Sequence, residues 1–91
     1  MPDIKRPTTD EKLEFETRKW LEKLEKRMGC AQLAKGVLER KVLDNSMENI
    51  RAYISDCKHF LAEKDFVNAF EAVIYAWGIF ETLERMGLVI G

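Results

Sequence analysis

Apolar residues crowd the stretch from Asp65 to Leu88 at the spacing of an α-helix. At about 100° per residue they cover most of the helix circumference, which is more than a helix packed on one side needs. Asp65 is a suitable N-cap, and Gly87 suits the left-handed position past the last turn, with Leu88 placed against Leu83 in a Schellman motif. The pattern therefore predicts a long helix with neighbours on at least two sides. Its apolar positions are Phe66, Val67, Ala69, Phe70, Ala72, Val73, Ile74, Ala76, Trp77, Ile79, Phe80, Leu83 and Met86.

Most of the remaining positions of this helix form one narrow stripe. Its members are Asn68, Glu71, Tyr75, Gly78, Thr82 and Arg85. A glycine inside a helix costs roughly 1 kcal/mol relative to alanine. Gly78 either marks the close approach of another backbone, or it is tolerated and relieves crowding beside Trp77. We predict that Asn68, Glu71, Tyr75, Gly78 and Thr82 form a surface for a partner or a ligand.

An amphipathic helix is also predicted near the start of the chain. Residues 1–8 are interpreted as a flexible tail, because Pro2 and Pro7 interrupt helices. Thr8 or Thr9 can cap the helix that follows, whose apolar side carries Leu13, Trp20, Leu24, Met28 and Ala31. The segment from Gly29 to Asp44 is ambiguous between a continued helix and a broken one. We favour a helix that continues past Gly29 and turns between Gly36 and Asp44.

A further helix is predicted to begin at Asn45, because Asn45 and Glu48 have the spacing of a capping box. It ends near Lys64, so almost no loop separates it from the helix capped by Asp65, and the two must form an antiparallel hairpin that brings Lys58 near Glu71. No stretch alternates long enough to predict a strand. The expected fold is all-α: a three-helix, up-down-up bundle with a tight C-terminal helical hairpin, forming one domain over residues 9–91. Helices one and three then run parallel, and Trp20 and Trp77 share a layer of the core.

Composition limits the classes of partner. The chain has 91 residues and a formal net charge of −1, so neither nucleic acid nor an anionic membrane is an expected partner. No apolar run is long enough to span a membrane, and the first residues lack the apolar core of a secretion signal, so a cytoplasmic location is expected. Cys30 and Cys57 are expected to be buried and reduced, and a disulfide between them would require an unusual cytosol such as that of a hyperthermophile.

The residues offer little catalytic chemistry. The single histidine, His59, falls on the polar side of the second helix, and the sequence contains neither a metal-ligand cluster nor a phosphate-binding loop, so no cofactor or metal is expected. Our first hypothesis is a non-enzymatic helical interaction or oligomerisation module, which binds a second copy or another protein. The alternative is a small-ligand binder or an enzyme that uses a groove lined by Asn68, Glu71 and Tyr75, together with His59.

The second half of the chain resembles a known family. The residues that carry the resemblance are Tyr53, Asp56, Phe60 and Leu61, the run from Asp65 to Ala72, the run from Tyr75 to Gly78, and Gly87 with Leu88. They are similar to the short archaeal proteins grouped as domain of unknown function 357. The resemblance implies a small helical bundle from an archaeal cytoplasm and supplies no activity or site residue. Relatives tend to have glycine where this chain has Lys64.

Overall fold

The computed structural model describes residues 8–34 and 40–90. Its elements are α1 (Thr9–Cys30), β1 (Gln32–Leu33), α2 (Arg40–Ala62), α3 (Phe66–Arg85) and β2 (Val89–Ile90). Helix α3 packs along α2 and also along α1, whereas α1 and α2 touch each other only sparsely. The predicted all-α bundle of three helices is confirmed, with α3 as the shared neighbour. Apart from Thr8, the predicted N-terminal tail lies outside the described residues.

Helix α1 begins at a side-chain cap. The Thr8 hydroxyl accepts a hydrogen bond from the amide of Glu11 at 3.1 Å, as the sequence predicts for one of the two threonines. The helix buries Thr17, Leu21 and Leu24 against the rest of the protein. The Thr17 hydroxyl lies in this apolar environment without cost, because it donates to the carbonyl of Leu13 at 2.6 Å.

The first helix passes Gly29 by only one residue, so the expectation that it runs on to a turn between Gly36 and Asp44 is wrong. α1 ends at Cys30, and the next residue is already extended. β1 then pairs antiparallel with β2, with Leu33 opposite Val89, and the amide of Ala34 donates to the carbonyl of Leu88 at 2.9 Å. Pairing with the far end of the chain therefore overrides the local helical rhythm. Residues 35–39, where part of the predicted turn falls, lie outside the described residues.

The predicted start of the second helix is also wrong. α2 already includes Arg40, so Asn45 is an exposed residue within the helix and not its cap. The Arg40 guanidinium donates to the carboxylate of Asp44 at 3.0 Å, one turn further on. Leu43 and Met47 are buried. Burial of Leu43 accounts for the earlier start, because this residue belongs to the apolar side that α2 presents to the core.

The hairpin between α2 and α3 is confirmed and is closed by backbone hydrogen bonds. Lys64 adopts a left-handed conformation with φ of 59°. Its amide donates to the carbonyl of Leu61 at 3.1 Å, and the amide of Asp65 donates to the carbonyl of Phe60 at 2.9 Å, which together form a Schellman motif. The Asp65 carboxylate in turn accepts from the amide of Asn68 at 3.3 Å and caps α3. Asp65 thus ends one helix and begins the next.

A second Schellman motif ends α3, as predicted. Gly87 has φ of 72°, its amide donates to the carbonyl of Glu84 at 3.0 Å, and the amide of Leu88 donates to the carbonyl of Leu83 at 2.9 Å. This turn directs the chain back toward β1. Val89 is then buried in the core.

Trp20 and Trp77 meet in one layer, as predicted. Their ring centroids lie 5.8 Å apart in an edge-to-face arrangement, and the Trp77 indole N–H donates to the carbonyl of Trp20 at 2.9 Å. Seven residues further along each helix, Arg27 forms an ion pair with Glu84. The two contacts advance together along both helices, so α1 and α3 run in the same direction. Phe80, which is fully buried, packs edge-to-face on Trp77.

The predicted pairing of Lys58 with Glu71 does not form, and Lys58 pairs with another carboxylate. The Lys58 ammonium lies 2.9 Å from the carboxylate of Glu25, on α1. The sequence pattern fixes which residues of α2 are polar, but not which neighbouring helix they face. The pairs Glu14–Arg18 and Glu22–Lys26 along α1 do form within their own helix.

Replacing Lys64 with glycine is expected to raise the free energy of unfolding by roughly 0.5–1 kcal/mol, because glycine accepts positive φ without the steric cost that a Cβ imposes. Thermal denaturation followed by circular dichroism measures the change. Lys64→Ala is the matched control, since it removes the same long side chain but keeps the Cβ. Equal stability of the two variants would contradict the explanation.

Trp77→Phe is expected to lower the free energy of unfolding by roughly 1–2 kcal/mol, because it removes the hydrogen bond to the Trp20 carbonyl and part of the edge-to-face contact. Urea denaturation gives the difference. Tyr75→Phe, on the exposed side of the same helix, should change stability by less than about 0.5 kcal/mol. Similar losses in both variants would show that the Trp20–Trp77 contact is not the cause.

Candidate functional site

The predicted stripe lies together on one exposed face of α3. Asn68, Glu71, Tyr75, Gly78 and Thr82 are all exposed, as is Arg85 at its end. The opposite side of the helix supplies much of the core, through Ala69, Ala72, Val73, Ala76, Phe80 and Leu83. The structure therefore brings the stripe residues to one face, separate from the side that stabilises the fold.

Two apolar residues join this face that the sequence pattern assigned to the enclosed side. Val67 is 64% exposed and Ile74 is 43% exposed, while Tyr75 is 53% exposed. Val67 and Ile74 are seven residues apart, and Ile74 is one turn before Gly78, so helical spacing places all three on one side. Their helical spacing with Gly78 could have assigned Val67 and Ile74 to the exposed face, whereas their apolar character alone assigns them to the core. We call this surface the outer face of α3; it comprises Val67, Asn68, Glu71, Ile74, Tyr75, Gly78, Thr82 and Arg85.

Gly78 sits in open space at the middle of the outer face. A Cβ built on this residue would meet no atom within 4 Å. No other part of the described chain therefore approaches Gly78, so within residues 8–34 and 40–90 no second backbone packs against it. Thr82 turns its hydroxyl inward, donating to the Gly78 carbonyl at 2.8 Å. The surface at Gly78 is therefore a shallow depression, and the nearby Thr82 hydroxyl is already hydrogen-bonded to the backbone.

The other polar side chains of the face have mainly local partners. The Asn68 amide group donates to the Asp65 carboxylate at 2.7 Å and so belongs to the cap of α3. Tyr75 packs against Tyr53 of α2, with ring centroids 5.7 Å apart. Within the described chain, no hydrogen bond joins Glu71 to Tyr75. The arrangement provides contact surface but does not aim several polar atoms at one point.

His59 is exposed on the polar side of α2, as predicted. Its imidazole Nε2 lies 3.3 Å from the carboxylate of Glu63, one turn further along the same helix. The ring also packs edge-on against the neighbouring Phe60. These contacts hold His59 at the end of α2, and within the described chain it forms no hydrogen bond or ion pair with Asn68, Glu71 or Tyr75.

Two surface depressions border α1, away from the outer face of α3. One of about 500 Å³ follows α1, and one of about 280 Å³ lies where α1 passes α2. Their lining residues are Arg18, Leu21, Glu22, Glu25 and Lys26 for the first, and Glu25, Met28, Gly29, Arg51 and Ile54 for the second. Both are shallow and rimmed by charged side chains, and neither includes a residue of the predicted stripe.

Neither a metal cluster nor a membrane-spanning helix occurs in the described residues. In residues 8–34 and 40–90, no group of three or more histidine, cysteine, aspartate or glutamate side chains is arranged to hold a metal ion. Over the same residues, no helix combines the length and the apolar character needed to cross a membrane.

The two cysteines are unpaired and occupy different environments. Cys57 is buried, and burial raises the pKa of its thiol to about 11, with a further contribution from the nearby Glu25 carboxylate. Cys30 is exposed, contrary to the expectation that both are buried. Cys30 is six positions after the buried Leu24, so at helical spacing its side chain points about 120° away from that of Leu24.

These features define a class of small three-helix protein. The last long helix is central, and a short strand after it pairs with the segment that follows the first helix. A family model described as a protein of unknown function, DUF357, matches residues 18–89. The chain belongs to this family. The match begins within α1, so it extends beyond the two C-terminal helices on which the sequence resemblance rests.

A solved structure supports the same assignment. The crystal structure of protein AF1782 from Archaeoglobus fulgidus, also of the DUF357 family, is similar with a TM-score of 0.77 at 36% sequence identity. The similarity covers 91% of this chain and 97% of that one. The whole architecture is thus shared with an archaeal protein. Comparison with curated proteins finds no match.

Thiol chemistry should distinguish the two cysteines. At about pH 8, Ellman's reagent is expected to modify Cys30 rapidly and Cys57 only after denaturation, because Cys57 is buried and its thiol pKa is raised. Cys30→Ser should abolish the fast phase.

The raised thiol pKa of Cys57 also predicts a dependence of stability on pH. The unfolded chain loses the Cys57 proton near the ordinary pKa of 9.0, whereas the folded chain loses it only at about 11, so the free energy of unfolding should decline as the pH rises from 9 to 11. Cys57→Ala should not show this decline of stability between pH 9 and 11. Rapid modification of Cys57 in the native protein would contradict the prediction for thiol reactivity.

Proposed function

We propose that this protein is a non-enzymatic interaction module and that the outer face of α3 is the surface that binds another polypeptide. The observation that carries the proposal is the exposure of Val67, Ile74 and Tyr75 on the side of α3 that also carries the open surface at Gly78. Removing apolar surface from water contributes roughly 25 cal/mol per Å². Contiguous exposed apolar residues on a small protein are typical of a binding surface.

The position of these residues favours α3 over other parts of the surface. The other large apolar side chains that are exposed in the described residues lie on separate elements: Phe15 on α1, Val42 on α2, Met86 beyond the end of α3, and Ile90 on β2. On α3 they share one side of a helix whose opposite side is fixed in the core. A helix held in this way is pre-organised for a partner, so less conformational entropy is lost on binding.

The shape of the face also favours a macromolecular partner over a small ligand. Asn68, Glu71 and Tyr75 project from the outward side of a single helix, whereas a small molecule needs a concave site that surrounds it. The proposed partner is therefore a second copy or another protein. The two unpaired thiols, Cys30 and Cys57, suit the reducing conditions of the cytoplasm, where we infer that the module acts.

Gly78→Leu is expected to abolish or strongly weaken association, because its side chain fills the open surface at the middle of the outer face. Size-exclusion chromatography with light scattering, at tens of micromolar, measures self-association, and co-purification with tagged protein tests for other partners. Ala52→Leu is the matched control, since Ala52 is exposed on α2, and it should associate like the parent protein. Circular dichroism checks that both variants stay helical.

Two results would contradict the proposal. One is a parent protein that is monomeric and retains no partner. The other is association that survives Gly78→Leu and Ala52→Leu equally well, since the surface would then lie elsewhere.

A further inference from the structure

We propose that the outer face of α3 binds a second copy of this chain, with the two α3 helices antiparallel about a twofold axis at Gly78. The inference rests on the proposed function and specifies its partner and geometry. It is carried by the arrangement of charge, small residues and apolar side chains along the face.

The charges are complementary only in the antiparallel arrangement. Glu71 and Arg85 each lie seven residues from Gly78, on opposite sides, so each is two turns and about 10 Å away along the helix axis. An antiparallel pair centred on Gly78 places Glu71 opposite the partner's Arg85, and symmetry repeats this contact. A parallel pair would instead bring Glu71 to its own copy and Arg85 to its own copy, and like charges would oppose each other.

Both charged groups are available for this contact. The Arg85 side chain is 83% exposed, and the Glu81 carboxylate on its own helix is 3.9 Å away, at the limit of an ion pair. Glu71 is exposed and makes no ion pair with the residues that the structure describes. Contact with the partner's charges would therefore not require either side chain to leave a close partner.

Gly78 allows the two helices to approach closely. Helix axes pack about 8–10 Å apart, at a distance set by the side chains at the contact, and small residues permit the short end of that range. A Cβ at this position would meet nothing within 4 Å among the residues that the structure describes, so none of them fills the space at Gly78. At the twofold axis, Gly78 of one chain packs against Gly78 of the other, and the absence of both side chains allows the two backbones to come close.

The flanks of the axis are also complementary. By helical spacing, Tyr75 lies to one side of Gly78 and about 5 Å before it, while Thr82 lies to the same side and about 6 Å after it. Antiparallel pairing therefore sets Tyr75 beside the partner's Thr82. On the other side, Ile74 packs against the methylene groups of the partner's Glu81. Tyr75 and Ile74, which are exposed in the single chain, would thus become covered in the dimer. Each would pack against a different residue of the partner and not against its own copy.

A charge-exchange series tests the pairing. Glu71→Arg and Arg85→Glu should each weaken the dimer by about tenfold or more, since each replaces two attractive contacts with repulsive ones. The double variant carrying both changes should recover dimerisation, because the contacts are restored with reversed sign. Glu48→Arg, which is exposed on α2, is the charge-matched control and should not weaken the dimer. Sedimentation equilibrium over a range of concentrations gives the dissociation constants.

Disulfide trapping tests the direction independently of the charges. In a Cys30→Ser background, Tyr75→Cys mixed with Thr82→Cys should form a mixed disulfide dimer, because these positions face each other across the interface between the helices and the Cα atoms of a disulfide must lie within about 7 Å. Neither variant alone should cross-link efficiently. The remaining native thiol, Cys57, is buried and should not interfere.

The outcomes separate this inference from the proposed function. A dimer that is insensitive to charge exchange, or that cross-links Tyr75→Cys to itself, would overturn the antiparallel pairing and leave an interaction module with another geometry. A monomer that binds a different protein through the outer face would overturn the second-copy assignment alone. A monomer without any partner would overturn both.

Discussion

The structure depends on the enclosure of α3 between two other helices. Its inner side carries small residues, Ala69, Ala72 and Ala76, next to the large side chains of Val73 and Phe80. Small residues let a neighbouring helix approach closely, and large ones fill the space between helices, so one helix can serve as the common neighbour of α1 and α2. Neither α1 nor α2 could form this core without α3, because they contact each other so little.

Backbone hydrogen bonds at the two ends of α3 turn this packing preference into a defined topology. At the start, the turn through Lys64 and Asp65 closes α2 and caps α3, which forces the two helices to lie antiparallel. At the end, Gly87 redirects the chain so that β2 reaches β1. The first turn carries a lysine in the left-handed region, which residues with a Cβ rarely adopt, so its geometry is imposed by the hairpin and is not a preference of the residue.

The same helix that organises the core also presents the candidate interaction surface. The outer face is rigid because the inner face is buried, and its character is mixed because a narrow polar stripe is bordered by Val67 and Ile74. The stripe itself could be predicted, since a residue that breaks an apolar pattern at helical spacing is expected to face solvent. The two apolar members could not be separated from core residues, because hydrophobic character does not reveal how much of a helix its neighbours cover.

Local patterns were therefore readable from the sequence alone: a cap at Thr8 or Thr9, the caps at Asp65 and Gly87, and the three helices. The layer shared by Trp20 and Trp77 was also predicted, although these residues are distant in the sequence. The caps and helices follow from hydrogen bonds or periodicities spanning a few residues, and the layer follows because each tryptophan lies about equally far past the start of its helix. Tertiary structure alone decided the end of α1, the early start of α2 and the partner of Lys58. These features depend on contacts between distant segments, such as Leu33 with Val89 and Lys58 with Glu25. A one-dimensional pattern records which residues avoid water, and only the folded chain determines what each of them meets.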